Sequence, residues 1–372
     1  MDPINSESTT LLLDILERNS GISFYSFSNA DGKQWIVPAK NMVTAMNLYQ
    51  PSGVKGKMVK VLFPYLYWCI GIRKVIHAER LKCSLRNDLV DLLCEGLGVQ
   101  HFEFSIFGGT PCVHQKITIQ VSNGSHILGY CKICKNDEIF ALFKTEAKFL
   151  SNLKKKGIRN IPQCLFCGNL KDGIGVFLQS TTKTNRSNTV HEWTKYQDKF
   201  LQEFASKTKQ VIRFEESDFY QSLILLKQHL NWLPQCVNGG FVGKVVDNVI
   251  KKNQGKSVEF SAYHADFTPW NMFVENGQLF VFDFEYAKET FPTMLDKYHF
   301  FTQTAHFEKH WNVEQIIQYM QSLDGSWINK DLYSYYLLEV MSRFTMREKG
   351  DVHGDVLNSF EIWFKLLEYM FK

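Results

Sequence analysis

The sequence predicts an α+β protein in which a small, mainly antiparallel β lobe precedes a larger, mainly helical lobe. Residues 101–180 contain five short runs of strand-like alternation and one amphipathic helix, in the order β-β-β-α-β-β. Residues 185–372 are mostly helical in pattern, except for a stretch near 260–285. Residues 1–100 form an extra block that we predict to be α/β or mainly helical. The predicted domains are therefore 1–100, 101–182 and 183–372.

Each element of the predicted small lobe has a local signal. A turn at 108–111 follows the first strand, and Asn123-Gly124 is a hairpin signal between the second and third strands. The helix, near 138–156, carries apolar residues at helical spacing and is stopped by Gly157. The predicted strands are 101–107, 116–122, 126–135, 163–169 and 174–179. In the block 1–100, helices are predicted near 9–17, 40–49, 54–72 and 86–96.

The composition is that of an ordinary globular protein, with 372 residues, of which 45% are hydrophobic and 22% charged. The net charge of +4 favours anionic ligands such as nucleotides without requiring nucleic acid. The first 20 residues lack the basic region of a signal peptide, and the longest apolar run, 61–72, is too short to span a bilayer. We therefore expect a cytoplasmic protein in which this run is a buried helix. An interfacial membrane anchor is the alternative.

Two C-x₂-C pairs raise the question of a zinc site. They are Cys131/Cys134 and Cys164/Cys167. The first pair lies in a predicted strand, where positions i and i+3 face opposite ways and converge poorly on one metal. We therefore interpret these cysteines as small buried hydrophobic residues, with zinc as the alternative.

The chemistry is concentrated in residues 264–285. Asp266 and Asn271 lie on one loop, in the run HADFTPWN, and a hairpin with an Asn-Gly turn then leads back to Asp283. This return should bring Asp283 close to Asn271, so that two hard oxygen ligands converge where Mg²⁺ could bind. Asp266 is placed to accept a proton from an attacking hydroxyl. Each residue alone is typical of a turn, but the conjunction argues against coincidence.

These motifs carry a family resemblance. HADFTPWN followed by VFDFEYA resembles the aminoglycoside phosphotransferase and choline kinase-like family, over roughly residues 101–372. Ala265 stands where protein kinases have arginine, and Glu285 stands where they have glycine. Both departures favour small-molecule kinases over protein kinases.

The resemblance implies a two-lobed protein-kinase-like fold and a role for each matching residue. Lys132, with Lys135 as the alternative, matches the phosphate-binding lysine. Glu146 matches its ion-pair partner, and Asp296 matches an ordering aspartate. The implied nucleotide-binding residues are Gly108, Gly109, Lys132, Glu146, Gln179 and Thr181. The implied catalytic base is Asp266, and the implied metal ligands are Asn271 and Asp283. The turn at 108–110 lacks a full G-x-G-x-x-G, and Glu285 is left as either a metal contact or a salt-bridge residue.

The implied activity is phosphorylation of a small-molecule hydroxyl, with ATP or GTP as donor and Mg²⁺ as cofactor. We predict a sugar or glycan precursor as the acceptor. It would contact Asp266, Glu339 and Arg343. An aromatic cage for a cationic acceptor would use residues that are otherwise core, namely Tyr335, Tyr336, Trp363 and Phe364. The alternatives are a pseudokinase or nucleotide-binding interaction module, a zinc-stabilised interaction protein, and AMP transfer by the same fold. Peripheral membrane contact also stays open.

Overall fold

The computed structural model describes residues 11–29, 31–51, 53–109, 115–323 and 327–371, with the backbone alone for residues 18–20. The chain divides into two compact units. The first unit consists of Met1–Lys155, Arg159–Thr189 and Phe273–Glu285. The second unit consists of Lys156–Ile158, Val190–Met272 and Tyr286–Lys372.

The first unit is built on an eight-stranded sheet. Its strands are β1 (Leu16–Ser28), β2 (Gln34–Pro38), β3 (Glu79–Leu85), β4 (Glu103–Phe107), β5 (Ile117–Asn123), β6 (His126–Cys134), β7 (Cys164–Asn169) and β8 (Gly175–Ser180). They lie in the order β3-β1-β2-β4-β5-β6-β8-β7, and all neighbours are antiparallel. The five strands predicted within residues 101–180 are confirmed. The first three strands come from the N-terminal block, which therefore extends the same sheet.

Two strands of the N-terminal block, β1 and β2, escaped the sequence pattern because both of their faces are covered. The third strand, β3, does alternate between buried and exposed residues, but no strand was predicted there. In β2, Trp35 and Val37 pack in one buried cluster, while Ile36 between them packs in another. A strand that is buried on both faces shows no clean alternation of apolar and polar residues. The helix predicted at 9–17 was wrong at its end, because β1 begins at Leu16; residues 9 and 10 lie outside the described ranges.

Helices cover both faces of this sheet. On β6, Lys132 lies between Cys131 and Ile133, which pack in the same cluster as Leu89 and Leu93 from one helix. Lys132 therefore faces the other side, where helix Asp137–Lys155 packs. The helices of this unit are Met42–Ala45, Val54–Leu66, Ile70–Val75, Asn87–Leu97 and Asp137–Lys155, together with residues 11–15 and the 3₁₀ turn Met46–Leu48.

The hairpin that leads to Asp283 has the predicted form. Strands β12 (Met272–Glu275) and β13 (Gln278–Val281) form a three-stranded sheet with the short β9 (Asn188–Thr189). Asn276 and Gly277 both have positive φ, at 51° and 73°, as a type I′ turn requires.

The second unit is mainly helical, with one small sheet of β10 (Gln210–Arg213), β11 (Ser257–Tyr263) and β14 (Lys288–Phe291). Its helices are Lys195–Thr208, Asp218–Gln228, Gly239–Asn253, Leu295–Gln303, Val313–Ser322, Lys330–Glu348 and Gly354–Phe371. The last two pack around one large apolar core. The α+β class predicted from the sequence is confirmed. Within the described ranges, every helix is too short or too polar to cross a bilayer.

Candidate active site

The predicted lysine–glutamate pair of the small lobe is present in the first unit. Lys132 Nζ on β6 lies 2.7 Å from Glu146 Oε2 on helix Asp137–Lys155. Both side chains are buried, with exposed fractions of 5% and 0%. The alternative lysine, Lys135, forms an ion pair with Asp14 instead and is half exposed. The pair therefore selects Lys132 as the candidate phosphate-binding lysine.

Glu146 also holds the segment that carries Asp283. Its second carboxylate oxygen accepts a hydrogen bond from the Phe284 backbone N–H at 3.0 Å, and the Phe284 ring stacks on Phe149 of the same helix. Lys132 Nζ in turn lies 2.5 Å from Asp283 Oδ1. Asp283 adopts the left-handed conformation, with φ of 71°, which a non-glycine residue keeps only when its surroundings impose it. Glu146 and Lys132 together supply those surroundings.

A second lysine, Lys116, completes this cluster and was not predicted from the sequence. It forms an ion pair with Glu285, and its Nζ lies 3.9 Å from Asp283 Oδ1. In this structure Glu285 is thus a salt-bridge residue, one of its two predicted roles. Lys116 directly precedes β5, where the sequence pattern resembles any polar strand end, so no local signal marks it.

The cluster is negatively charged and contains the ligand type that Mg²⁺ prefers. Carboxylate oxygens of Glu146, Asp283 and Glu285 lie within 4.8 Å of one another. Burial lowers the pKa of Lys132, but the three carboxylates outweigh this effect and raise it, so the lysine stays charged. Burial likewise raises the pKa of Glu146, and Lys132 opposes that shift. With all groups ionised, three carboxylates and two lysines leave one net negative charge.

The glycine turn and the predicted hinge are only partly described. Gly109 has φ of 83°, and a Cβ there would come within 2.3 Å of the Lys116 carbonyl oxygen, so only glycine fits this close approach. Thr110 and Pro111 lie outside the described residues. Gln179 is buried on β8, opposite Tyr130, and Thr181 Oγ1 accepts a hydrogen bond from the Lys183 N–H. Nucleotide contacts by Gly108, Gly109, Gln179 and Thr181 stay predictions.

In the second unit, the loop after β11 brings Asp266 and Asn271 together. Asn271 Nδ2 donates to Asp266 Oδ2 at 2.7 Å and to the Asp266 carbonyl oxygen at 3.0 Å. The Asp266 N–H donates to His264 Nδ1 at 3.1 Å. The carboxylate is therefore held in a defined orientation. Asn271 belongs to the second unit and Asp283 to the first, so their joint binding of one Mg²⁺ stays a prediction.

Asp296 fixes the backbone of the loop that carries Asp266. Its carboxylate accepts hydrogen bonds from the backbone N–H groups of His264 and Ala265, at 3.0 and 3.1 Å. Burial raises the pKa of Asp296 to about 7, and these two N–H donors oppose that shift. Ala265 has φ of 68°, another left-handed conformation. The predicted ordering role of Asp296 is consistent with this geometry.

Glu339 and Arg343 support the same loop. Arg343 Nη2 donates to the Ala265 carbonyl at 2.7 Å, and its Nε donates to Glu339 at 3.0 Å. Glu339, which is 3% exposed, also accepts from the Tyr263 hydroxyl at 2.8 Å. Glu339 is buried and bonded to the protein itself, so its predicted contact with the acceptor was wrong. The Arg343 side chain is 12% exposed, and its contact with the acceptor stays a prediction.

The aromatic cage considered from the sequence is also excluded. Tyr336, Trp363 and Phe364 are buried in the core of the second unit, and Tyr335 packs against that core. Aromatic residues at helical spacing here serve packing rather than binding of a cation.

His299 is a site residue that the sequence did not reveal. Its Nε2 lies 3.2 Å from Asp266 Oδ1, on the side opposite the Asn271 contact. Burial lowers the pKa of His299 below its ordinary value, although the bond to Asp266 works in the opposite direction. The neutral ring then donates Nε2–H to the carboxylate, which can only accept. His299 follows Asp296 by one helical turn, but only the fold shows that it reaches Asp266.

The four cysteines of the C-x₂-C pairs lie on strands that are not neighbours. Cys131 and Cys134 are on β6, Cys164 and Cys167 are on β7, and β8 runs between them. Burial raises the pKa of all four thiols. Zinc binds the thiolate, so these surroundings favour the interpretation as packed thiols.

Comparisons with known proteins give structural likenesses only. No protein-family model and no curated protein sequence matches the chain. A putative fructosamine-3-kinase from Haemophilus somnus 129PT has 15% sequence identity and a TM-score of 0.44, covering 76% of this chain and 97% of that chain. A thermostable mutant of aminoglycoside phosphotransferase APH(4)-Ia has 13% identity and a TM-score of 0.49, covering 75% of this chain and 98% of that chain. A choline kinase from Streptococcus pneumoniae has 16% identity and a TM-score of 0.44, covering 68% of this chain and 89% of that chain.

The elements predicted for the two lobes are present within the two units of this chain. The first unit has the antiparallel sheet, the packed helix and the Lys132–Glu146 pair. The second has a helical core and the His-x-Asp loop held by Asp296. The α+β elements predicted from the sequence are therefore observed in each unit.

Replacing Glu146 should strongly destabilise the protein. Glu146→Ala removes the fully buried one of the two carboxylates that contact Lys132 and also removes the acceptor of the Phe284 N–H, so we expect a loss of about 3–5 kcal/mol in the free energy of unfolding. Glu138→Ala, at an exposed position of the same helix, is the control and should cost less than about 1 kcal/mol. Chemical denaturation of the three proteins measures both. Equal stability of the two variants would contradict the proposed role of the pair.

The stability of the protein should depend on pH through His299. Its pKa is lower in the folded chain than the ordinary 6.5, so the unfolded chain binds more protons and the contribution of His299 is lost as pH falls below 6.5. His299→Gln keeps a donor near Asp266 but does not titrate. Between about pH 7.5 and about pH 5.5 the free energy of unfolding should therefore fall more steeply in the wild type than in this variant. His353→Gln, at an exposed histidine, shows the background effect of losing one histidine. Parallel curves for wild type and His299→Gln would rule out the buried neutral histidine.

Proposed function

We propose that this protein is a phosphotransferase that uses ATP or GTP and Mg²⁺ to phosphorylate a hydroxyl of a small molecule. The observation that carries the proposal is the position of Lys132, which contacts both Glu146 and Asp283 in the first unit. Protein kinases use a lysine paired with a glutamate, together with a metal-binding aspartate, to hold the phosphates of the nucleotide and their metal. A role in packing alone does not explain why three ionic groups are gathered in a largely buried place, where charges are costly.

On the nucleotide side, we assign Lys132 to the α- and β-phosphates, with Glu146 as the group that orients it. Lys132 is rigid because its ammonium group is shared between two carboxylates. A preorganised cation costs little further entropy when phosphate binds. Gly108 and Gly109 would cover the phosphates through backbone groups, and Gln179 and Thr181 would border the adenine.

The metal assignment follows from the donor set. Asp283 and Glu285 offer carboxylate oxygens close to each other, and both are less buried than Glu146. We propose Asp283 as a Mg²⁺ ligand. Asn271 is proposed as the second ligand from the sequence order alone. When bound, Mg²⁺ offsets the negative charge on the β- and γ-phosphates.

On the acceptor side, we assign Asp266 as the catalytic base. Asn271 binds one of its oxygens and His299 binds the other, so the carboxylate is fixed before any substrate arrives. Asp266 would accept the proton of the acceptor hydroxyl as that oxygen bonds to the γ-phosphorus and the bond to the leaving diphosphate breaks. Such a positioned base typically contributes about 10²–10⁴-fold to the rate. A sugar or glycan precursor is the proposed acceptor class.

Asp266→Asn should abolish most turnover without unfolding the protein. The amide keeps the size of the carboxylate but cannot accept the proton, so we expect the turnover number to fall by about 10²–10⁴-fold. Asp247→Asn, at an exposed ion pair with Lys227, is the matched control and should retain wild-type turnover. Hydroxyl compounds, with sugars first, are screened as acceptors by nucleoside diphosphate release and by the mass of the product.

Two results would contradict this assignment. Normal turnover in Asp266→Asn would remove Asp266 as the base. A product that gains AMP instead of phosphate would show nucleotidyl transfer by the same fold, since the two additions differ greatly in mass.

A further inference from the structure

The N-terminal block exposes a concentrated apolar surface. Among the described residues, 19 large hydrophobic side chains are exposed, and 8 of them lie within residues 54–75. These eight are Val54, Met58, Val61, Leu62, Tyr65, Trp68, Ile70 and Val75. Single exposed hydrophobic residues are normal on a protein surface, but a contiguous group marks an interaction site.

Helix Val54–Leu66 places its part of this group on one stripe. The five exposed apolar residues of the helix include the adjacent pair Val61 and Leu62 and are otherwise spaced three or four apart, so they lie on one face of an α-helix. The opposite face carries Phe63, which is 1% exposed and packs against Tyr25 and Phe27 of β1. The helix is thus anchored to the sheet on one side and presents a second apolar stripe outwards.

The sequence segment that carries the stripe is basic. No aspartate or glutamate occurs between Asp31 and Glu79, whereas this part of the sequence contains six lysines and one arginine. On the helix, exposed Lys55 and Lys57 lie on the two flanks of the apolar stripe, as the 3.6-residue turn dictates. Exposed Lys74 lies near the end of the following helix, Ile70–Val75.

From this arrangement we propose that residues 54–75 dock on the surface of an anionic lipid bilayer. Apolar residues flanked by lysines, on a helix too short to span, are the pattern of an interfacial helix. The apolar stripe enters the boundary between headgroups and acyl chains, and the flanking ammonium groups bind lipid phosphates. Tyr65 and Trp68 suit the same boundary, because each combines an apolar ring with a polar group.

Charge argues against a second copy of this chain as the occupant. A two-fold interface brings the same patch of both subunits together, so the lysines around each stripe would face one another without an acidic partner from residues 32–78. An anionic bilayer neutralises these lysines and accepts the apolar stripe at the same time.

Vesicle co-sedimentation of the full chain, without nucleotide, tests the proposal independently of catalysis. The vesicles consist of phosphatidylcholine alone or of phosphatidylcholine with phosphatidylglycerol. We expect binding to the anionic vesicles only, and weaker binding at high salt. Two variants should each lower this binding by about tenfold or more. The triple variant Met58→Ser/Val61→Ser/Tyr65→Ser loses apolar contact. The double variant Lys55→Glu/Lys57→Glu reverses the charge on both flanks of the stripe.

The control is Val211→Ser with Leu225→Ser, which removes exposed apolar side chains from the second unit and should bind as the wild type does. All substituted side chains are exposed, and the lysine variant leaves every apolar contact intact, so it remains informative if the triple variant folds poorly. Failure of the wild type to bind either vesicle, equal binding to both, or undiminished binding of the variants would overturn the proposal. Self-association that the triple variant abolishes, without vesicle binding, would show that a second copy covers the stripe instead.

Discussion

The buried carboxylate of Glu146 is the contact on which the organisation of the first unit depends. One oxygen binds Lys132 on β6 and the other binds the backbone of Phe284, so a helix, a strand and the Asp283 segment meet at a single side chain. Removing a carboxylate from water is costly, and these two partners offset that cost. The sheet, the packed helix and the left-handed backbone at Asp283 together place the partners of Glu146 within hydrogen-bonding distance.

The second unit likewise uses buried charged groups to hold the loop that carries Asp266. Ala265 adopts a left-handed conformation, and both of its backbone polar groups are bound, the N–H by Asp296 and the carbonyl by Arg343. Arg343 is in turn paired with Glu339. Buried charges that hold a strained loop resist relaxation, so the carboxylate of Asp266 keeps its orientation. The buried charged groups therefore fix the position of the two carboxylate oxygens of Asp266.

The strands of residues 101–180 and the hairpin that leads to Asp283 were predictable because their signals are local. Alternation of apolar residues and the Asn-Gly turns placed β4 to β8 and the hairpin β12–β13 within a few residues of their observed bounds. Of the three strands of the N-terminal block, β1 and β2 were not predicted because both of their faces are packed, which removes the period of two. Strand β3 alternates and was still not predicted. The pairing of β2 with β4 joins segments far apart in sequence, which periodicity does not reveal.

Some residues of the candidate site were likewise predictable from local sequence motifs, and others were not. Lys132, Glu146, Asp266, Asn271 and Asp283 were found from motif order, and the structure brings Lys132, Glu146 and Asp283 together in one cluster and Asp266 and Asn271 together in another. Lys116 and His299 were missed because each acts on a residue that lies far along the chain. Glu339 was wrongly assigned to the acceptor because a charged residue in a helical sequence gives no indication of what its side chain faces. Only packing distinguishes a buried support from a binding surface.

The most direct test of the central claim is calorimetric titration of ATP and GTP into the wild type and into Asp283→Asn, with and without Mg²⁺. If the Lys132–Glu146–Asp283 cluster binds a metal–nucleotide complex, the wild type should bind a nucleotide more tightly with Mg²⁺. This gain should disappear in Asp283→Asn while the variant stays folded. A wild type that binds neither nucleotide, or an Mg²⁺ effect that survives the substitution, would contradict the account of this cluster as a phosphate and metal site.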